Sequence, residues 1–145
     1  MDAFDYLSIS ALIVSIISLG GTFYFNIRDR MKVQATSKLY ASHPDYDKAH
    51  LEIKVVNIGR RIAVLTLFGG DLENGRWQGE ALGESEKGLH LAEHEFYKYK
   101  FYKDDILAVS PDFESNYIEL WFEDSLGRRH KVKDSKINVE LLNAT

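Results

Sequence analysis

The sequence predicts a mainly β protein in which one N-terminal transmembrane α-helix precedes an antiparallel β-sandwich of about six to eight strands. Three observations carry that expectation. Tyr6 to Ile27 runs without a single charged residue. After Lys32 the chain turns into short alternating apolar and polar stretches divided by Gly, Asn and Asp turn signals. A length of 145 residues leaves room for one globular domain and one appendage. The expected division is an anchor over 1–32 and a β domain over 33–145.

The first element is the apolar segment, YLSISALIVSIISLGGTFYFNI. At about 1.5 Å per residue a helix of this length reaches across a hydrocarbon core of about 30 Å. A cleaved signal peptide would need a basic start and a small-residue cleavage site. Here Asp2 and Asp5 precede the segment, and Arg28, Arg30 and Lys32 follow it as a basic exit at the membrane interface. A buried core helix would be shorter or would carry a charged face. The positive-inside tendency places the N-terminus outside and the C-terminal domain in the cytoplasm.

Within the helix, Ser8, Ala11, Ser15, Ser18 and Thr22 recur every three or four residues. At about 100° per residue they fall within about 80° of one another, forming one stripe of small and hydroxylated side chains. Such a stripe suits helix self-association or the lining of an oligomeric pore. The competing reading is that each hydroxyl bonds its own i−4 carbonyl and needs no partner.

The β domain is read in order from its patterning. Val33–Tyr40 is the first strand, followed by a polar turn over 42–48 containing Pro44. Leu51, Ile53 and Val55 alternate with Glu52 and Lys54, which predicts a strand with one buried face. Asn57 to Arg61 is a tight connection, in which a solvated turn would give Gly59 a positive φ, and Ile62–Phe68 is an apolar run suited to a central strand that Gly69 and Gly70 terminate. Asn74-Gly75 signals a hairpin without a clear return strand, and 80–88 reads as loop. Strand resumes at Leu89 and Leu91 and again over Glu95–Tyr102, with Tyr97, Tyr99 and Phe101 on one face. Tyr117–Glu123 and Arg128–Lys133 form the clearest hairpin around Asp124-Ser125-Leu126-Gly127, with Ile118, Leu120 and Phe122 expected on one face. Ile137–Leu142 fits an edge strand or a short helix.

Composition narrows the function. A net charge of −4, from 18 basic and 22 acidic residues, lacks the positive field that phosphate backbones require, so nucleic acid is not an expected partner. The absence of cysteine excludes thiol nucleophiles and thiolate metal sites. His90-Leu91-Ala92-Glu93-His94 matches the inverted zinc-protease pattern, but Gly88 before it and the aromatic alternation after it favour strand or loop. On a strand the two imidazoles lie about 13 Å apart and cannot share a metal. No catalytic residue, metal or cofactor is expected, and the chain reads as a non-enzyme, with a zinc hydrolase as the remote alternative. Partner-binding candidates are the basic turns Arg60-Arg61 and Arg128-Arg129 and the aromatic strand residues Tyr97 and Tyr99. For the arginines the competing reading is a solvated turn paired with local acids.

The order of these features resembles small bacterial and prophage-encoded membrane proteins with one N-terminal helix and a basic exit. The shared segments are Val55-Val56-Asn57-Ile58-Gly59-Arg60-Arg61 and Asp124-Ser125-Leu126-Gly127-Arg128-Arg129. Such proteins often carry Pro after the first arginine pair, where this chain has Ile62. The resemblance implies a bacterial inner-membrane protein of the phage-defence kind. In that picture a cytosolic β domain senses a protein partner such as a ring-shaped phage structural assembly, and homo-oligomerised helices permeabilise the bilayer. A passive membrane-tethered adaptor is the alternative.

Overall fold

A computed structural model describes residues 3–42, 48–83, 87–103, 105 and 116–144. The chain divides into two compact units, Met1–Arg30 and Met31–Thr145.

The first unit is helix α1, Ala3–Arg28. Its apolar stretch Tyr6–Ile27 is long enough to cross a membrane, and none of it is buried inside the protein. A helix satisfies its backbone polar groups internally, so it can expose a fully apolar surface to lipid.

The second unit is mostly β. In chain order it comprises β1 Val33–Tyr40, β2 His50–Asn57, β3 Ala63–Leu72, β4 Trp77–Ala81, β5 Leu89–Leu91, β6 Phe96–Tyr102, β7 Tyr117–Asp124, β8 Arg129–Lys133 and helix α2 Ser135–Ala144. All eight strands join one sheet in the order β4-β3-β7-β8-β1-β2-β6, with β5 also paired to β3. This single sheet curls into a half-barrel, so the mainly β character and strand number match the expectation while two packed sheets of a β-sandwich are not formed among the described residues. Its pairs are antiparallel except β1 with β8, which run parallel through Ala35–Val132 and Thr36–Lys133. This short parallel pair joins the two antiparallel portions of the sheet and departs from the all-antiparallel expectation. The terminal Ile137–Leu142 segment, legible as strand or helix, lies within α2 and buries Val139 and Leu142.

The core lies inside the curl. Leu51, Ile53 and Val55 from β2, Leu65 and Phe68 from β3, Phe101 from β6 and Leu120 and Phe122 from β7 are fully or almost fully buried. Phe68 gathers the rings of Tyr99, Phe101 and Phe122 at centroid distances of 4.6, 6.4 and 4.9 Å. Since β3 and β6 are far apart in strand order, these contacts show how strongly the sheet bends.

Three local expectations change. First, β3 does not stop at Gly69 and Gly70 but continues to Leu72, and β4 is the return strand of the Asn74-Gly75 hairpin. The glycines are there for space: a Cβ on Gly69 would lie 2.5 Å from the Trp121 ring. Second, β7 shifts register between Asp71 and Leu72, whose partners are Glu119 and Tyr117. This irregularity turns Tyr117 into the core and leaves Ile118 exposed, so Ile118 does not share the buried face of Leu120 and Phe122. Third, Gly59 does not adopt a positive φ; the left-handed glycines are Gly75, Gly83, Gly88 and Gly127. The expected turn over 42–48 and loop over 80–88 fall partly outside the described residues.

Candidate functional site

On α1 the residues Ser8, Ala11, Ser15, Ser18 and Thr22 are all exposed. Ser15 Oγ donates to the Ala11 carbonyl and Thr22 Oγ1 donates to the Ser18 carbonyl, each at 2.8 Å. These hydroxyls are therefore satisfied within their own helix. What the stripe offers a second helix is small size, which permits close backbone approach. Arg28 ends α1, with its side chain outside the described residues, while Arg30 and Lys32 are exposed.

The Arg60-Arg61 turn is organised by Asn57, which is completely buried. Its Nδ2 donates to the Arg61 carbonyl at 2.7 Å and to the Leu91 carbonyl at 2.9 Å, while its Oδ1 accepts from Gly59 N–H at 3.0 Å. Its main chain accepts from His94 N–H and donates to the Glu95 carbonyl. Ile58 and Gly59 N–H both donate to the Lys32 carbonyl. One amide side chain thus fixes the turn against the neighbouring connection 92–95, and the Lys32 carbonyl ties it to the start of β1. Arg60 and Arg61 project from this fixed base, and neither forms an ion pair among the described residues.

The second basic turn is built differently. Asp124 is buried and accepts from Leu126 N–H, Arg128 N–H, Arg128 Nε and His130 Nε2 at 2.8 to 3.0 Å. Burial alone would raise its pKa, but the His130 bond, the two backbone donors and the Arg128 side chain outweigh burial and hold the carboxyl below its usual value. Arg129 lies 4.0 Å over the Trp121 ring and 5.0 Å over the Trp77 ring, with Nε donating to Glu123 Oε2. Trp121 Nε1 donates to Asp71 Oδ1 at 3.0 Å. Arg128 and Arg129 are therefore engaged in holding the β7–β8 hairpin, whereas Arg60 and Arg61 are not so engaged.

Tyr97 and Tyr99 face inward from β6 and pack against the core. Tyr99 Oη donates to Glu80 Oε1 at 2.8 Å, and burial together with this bond pushes the phenol above its usual range. The outward residues of β6 are Phe96, Lys98 and Lys100, with Lys54 Nζ 4.6 Å above the Phe96 ring and Lys98 paired to Glu52. His90 lies on β5 and His94 in a tight turn with φ 63°. The shared helical face that the zinc-hydrolase reading needs is not formed by His90, Glu93 and His94. Among the described residues no group of three or more His, Asp and Glu is gathered as metal ligands. A groove of about 310 Å³ between β7 and α2 is lined by residues including Tyr117, Lys136 and Glu140.

Sequence patterning alone does not distinguish the organising residues Asn57 and Asp124 or the Trp77–Arg129–Trp121 stack. The only local signal is that Asn57 and Asp124 head the two turn segments, N-x-G and D-S-x-G; the stack depends on strand order and leaves none.

No family model matches the chain, and no curated protein matches it. A solved structure, the X-ray structure of Northeast Structural Genomics Consortium target SoR45, aligns over 73% of this chain and 83% of its own, at 12% identity and a TM-score of 0.28. That level of likeness carries no argument about fold or function.

Proposed function

We propose that the protein is a membrane-anchored sensor-effector. Its β domain binds a protein partner on the cytoplasmic side of a bacterial inner membrane, and its span self-associates along Ser8, Ala11, Ser15, Ser18 and Thr22. Partner binding raises the local concentration of spans, so that weak helix contacts become a stable assembly. The output is permeabilisation of the bilayer, in keeping with the resemblance to phage-defence proteins. The observation that carries this reading is an apolar stretch, Tyr6–Ile27, of which none is buried inside the protein, with one narrow face of small residues. The test is membrane potential and growth after induced expression, with and without phage infection, comparing the intact chain with Ser15→Leu/Ser18→Leu. Depolarisation that needs both the stripe and infection supports the reading; depolarisation undiminished in the variant sinks it.

A passive adaptor is the second reading, favoured by the bonds of Ser15 and Thr22 to their own helix. It predicts that an unrelated single span can replace residues 1–32 with no loss of function.

A further inference from the structure

The sheet register collects four segments at one end of the β domain. The start of β1 lies beside the end of β2, through the pair Val33–Asn57. The 58–62 turn follows from that point, and β3 leaves it with Ala63 paired to Leu91 at the end of β5. The start of β6 is there as well, with Phe96 opposite Val56. The β7–β8 turn joins them, since Ser125 N–H donates to the Val64 carbonyl. This end is therefore a rim made of the entry to β1 and the turns 58–62, 92–95 and 125–128.

The rim is amphipathic in a particular way. Ile58, Ile62, Phe96 and Leu126 are 39%, 60%, 54% and 73% exposed, and water gains nothing from Ile62 and Leu126 at turn tips. Beside them stand exposed Lys32, Arg60, Arg61 and Arg128. The acids of this end are Asp124, buried under its four donors; Glu95, whose Oε2 accepts from Ala92 N–H; and Glu93, which faces His94 at 3.7 Å. Apolar tips ringed by cations match a bilayer surface with anionic headgroups, where the tips enter the acyl boundary and the cations meet phosphate. An acidic protein would match the arginines but leave the isolated aliphatic tips without a reason.

Chain length supplies the second argument. Lys32, whose carbonyl anchors the 58–62 turn, is five residues after Ile27, the last residue of the apolar span. Five extended residues reach at most about 17 Å. The rim is thus tethered within a short reach of lipid, and the opposite end of β3 is about 30 Å from the rim along the strand.

We propose that this rim is a membrane-docking surface: Ile62 and Leu126 insert at the interface, and Arg60 and Arg61 bind anionic lipid headgroups. This rests on reading Tyr6–Ile27 as a membrane span. Docking holds the domain against the bilayer and leaves its far end, with Trp77 and the groove beside Tyr117, directed away from the membrane.

The chain has no cysteine, so one introduced thiol takes one fluorophore. Full-length Ile62→Cys, Leu126→Cys and Glu73→Cys proteins are labelled and reconstituted in phosphatidylcholine vesicles with or without phosphatidylglycerol, carrying a headgroup nitroxide quencher. Quenching of the labels at 62 and 126 but not at 73 in anionic vesicles is expected. Arg60→Gln with Arg61→Gln should lower the docked-to-undocked ratio roughly fivefold for each charge removed, the strength of one basic side chain near an anionic surface. Equal quenching at 62, 126 and 73 in protein that floats with the vesicles overturns docking alone. Protein that does not float overturns the span reading and docking together. Capture of an acidic protein through Arg60 and Arg61, with the labels at 62 and 126 unquenched, also overturns it.

Discussion

Tyr99 on β6 donates its hydroxyl to Glu80 Oε1 on β4 at 2.8 Å, a hydrogen bond between the two terminal strands of the sheet order. Side chains here do what backbone pairing does elsewhere in the sheet. A different link is made by Tyr117 Oη on β7, which donates to Gln78 Oε1 on β4 across the intervening strand β3. The curl is held by the Tyr99–Glu80 bond and by the Phe68 ring cluster.

Tyr99→Phe removes the hydroxyl and keeps the ring. The expected loss is about 1 kcal/mol, seen as a Tm lower by about 4 °C, with faster amide exchange in β4. Alkali provides a second readout. The folded phenol is held above its usual range, so the unfolded chain releases its proton first and stability falls as pH rises past about 10. Tyr99→Phe lacks that component, and its Tm should decline less steeply than that of the natural chain over the same interval.

Asp124→Ala strips a buried acceptor from four donors. A loss of at least about 2 kcal/mol is expected, because the turn amides of Leu126 and Arg128 lose their partner in a protected site. The carboxyl is held below its usual value when folded, so its contribution is fully present above the unfolded pKa near 4 and is lost as pH falls through the folded value. Acid unfolding monitored by circular dichroism checks this: the natural chain should lose stability below pH about 4, and the variant should show a weaker dependence there.

Gly69→Ala places a methyl carbon 2.5 Å from Trp121 and 2.8 Å from the Gln78 carbonyl. Overpacking of this kind costs about 1–3 kcal/mol, and Trp121 must move to relieve it. A red shift of tryptophan emission together with a lower denaturant midpoint is the expected result. An unchanged spectrum and midpoint would show that β3 and β7 are not packed as described.

Asn57→Ala leaves Gly59 N–H and the carbonyls of Arg61 and Leu91 without their side-chain partner. The expected cost is about 1–3 kcal/mol, with amide exchange rising first at 58–62 and 92–95. Asn57→Asp should not rescue it, because a carboxylate cannot donate to two carbonyls.

Much of this architecture is legible in the sequence, and the exceptions have physical reasons. Val33–Tyr40 is read with its observed bounds because the basic exit ending at Lys32 precedes it and a polar segment containing Pro44 follows it. The continuation of β3 through Gly69-Gly70 is hidden, since glycine signals a break unless the residue facing it is known, and Trp121 is distant in the chain. The parallel β1–β8 pair leaves no local trace at all. For the candidate sites, charge alone could not separate Arg60-Arg61 from Arg128-Arg129. Only the partners Asp124, Trp121 and Glu123 show that the second pair is committed to the fold. The alternation of β6 is legible, but which of its faces meets the core is set by Phe68, distant in the chain, against which Tyr99 and Phe101 pack.

The central claim is that the span self-associates on its small face, and cysteine cross-linking in native membranes tests it most directly. Single cysteines are placed in turn from position 8 to position 22 of the otherwise cysteine-free chain, and oxidised dimer is measured at each. The account predicts yields that peak at 8, 11, 15, 18 and 22 and fall at Ile9, Ile13 and Ile16. Uniformly low yields, or a maximum on the isoleucine face, would contradict it.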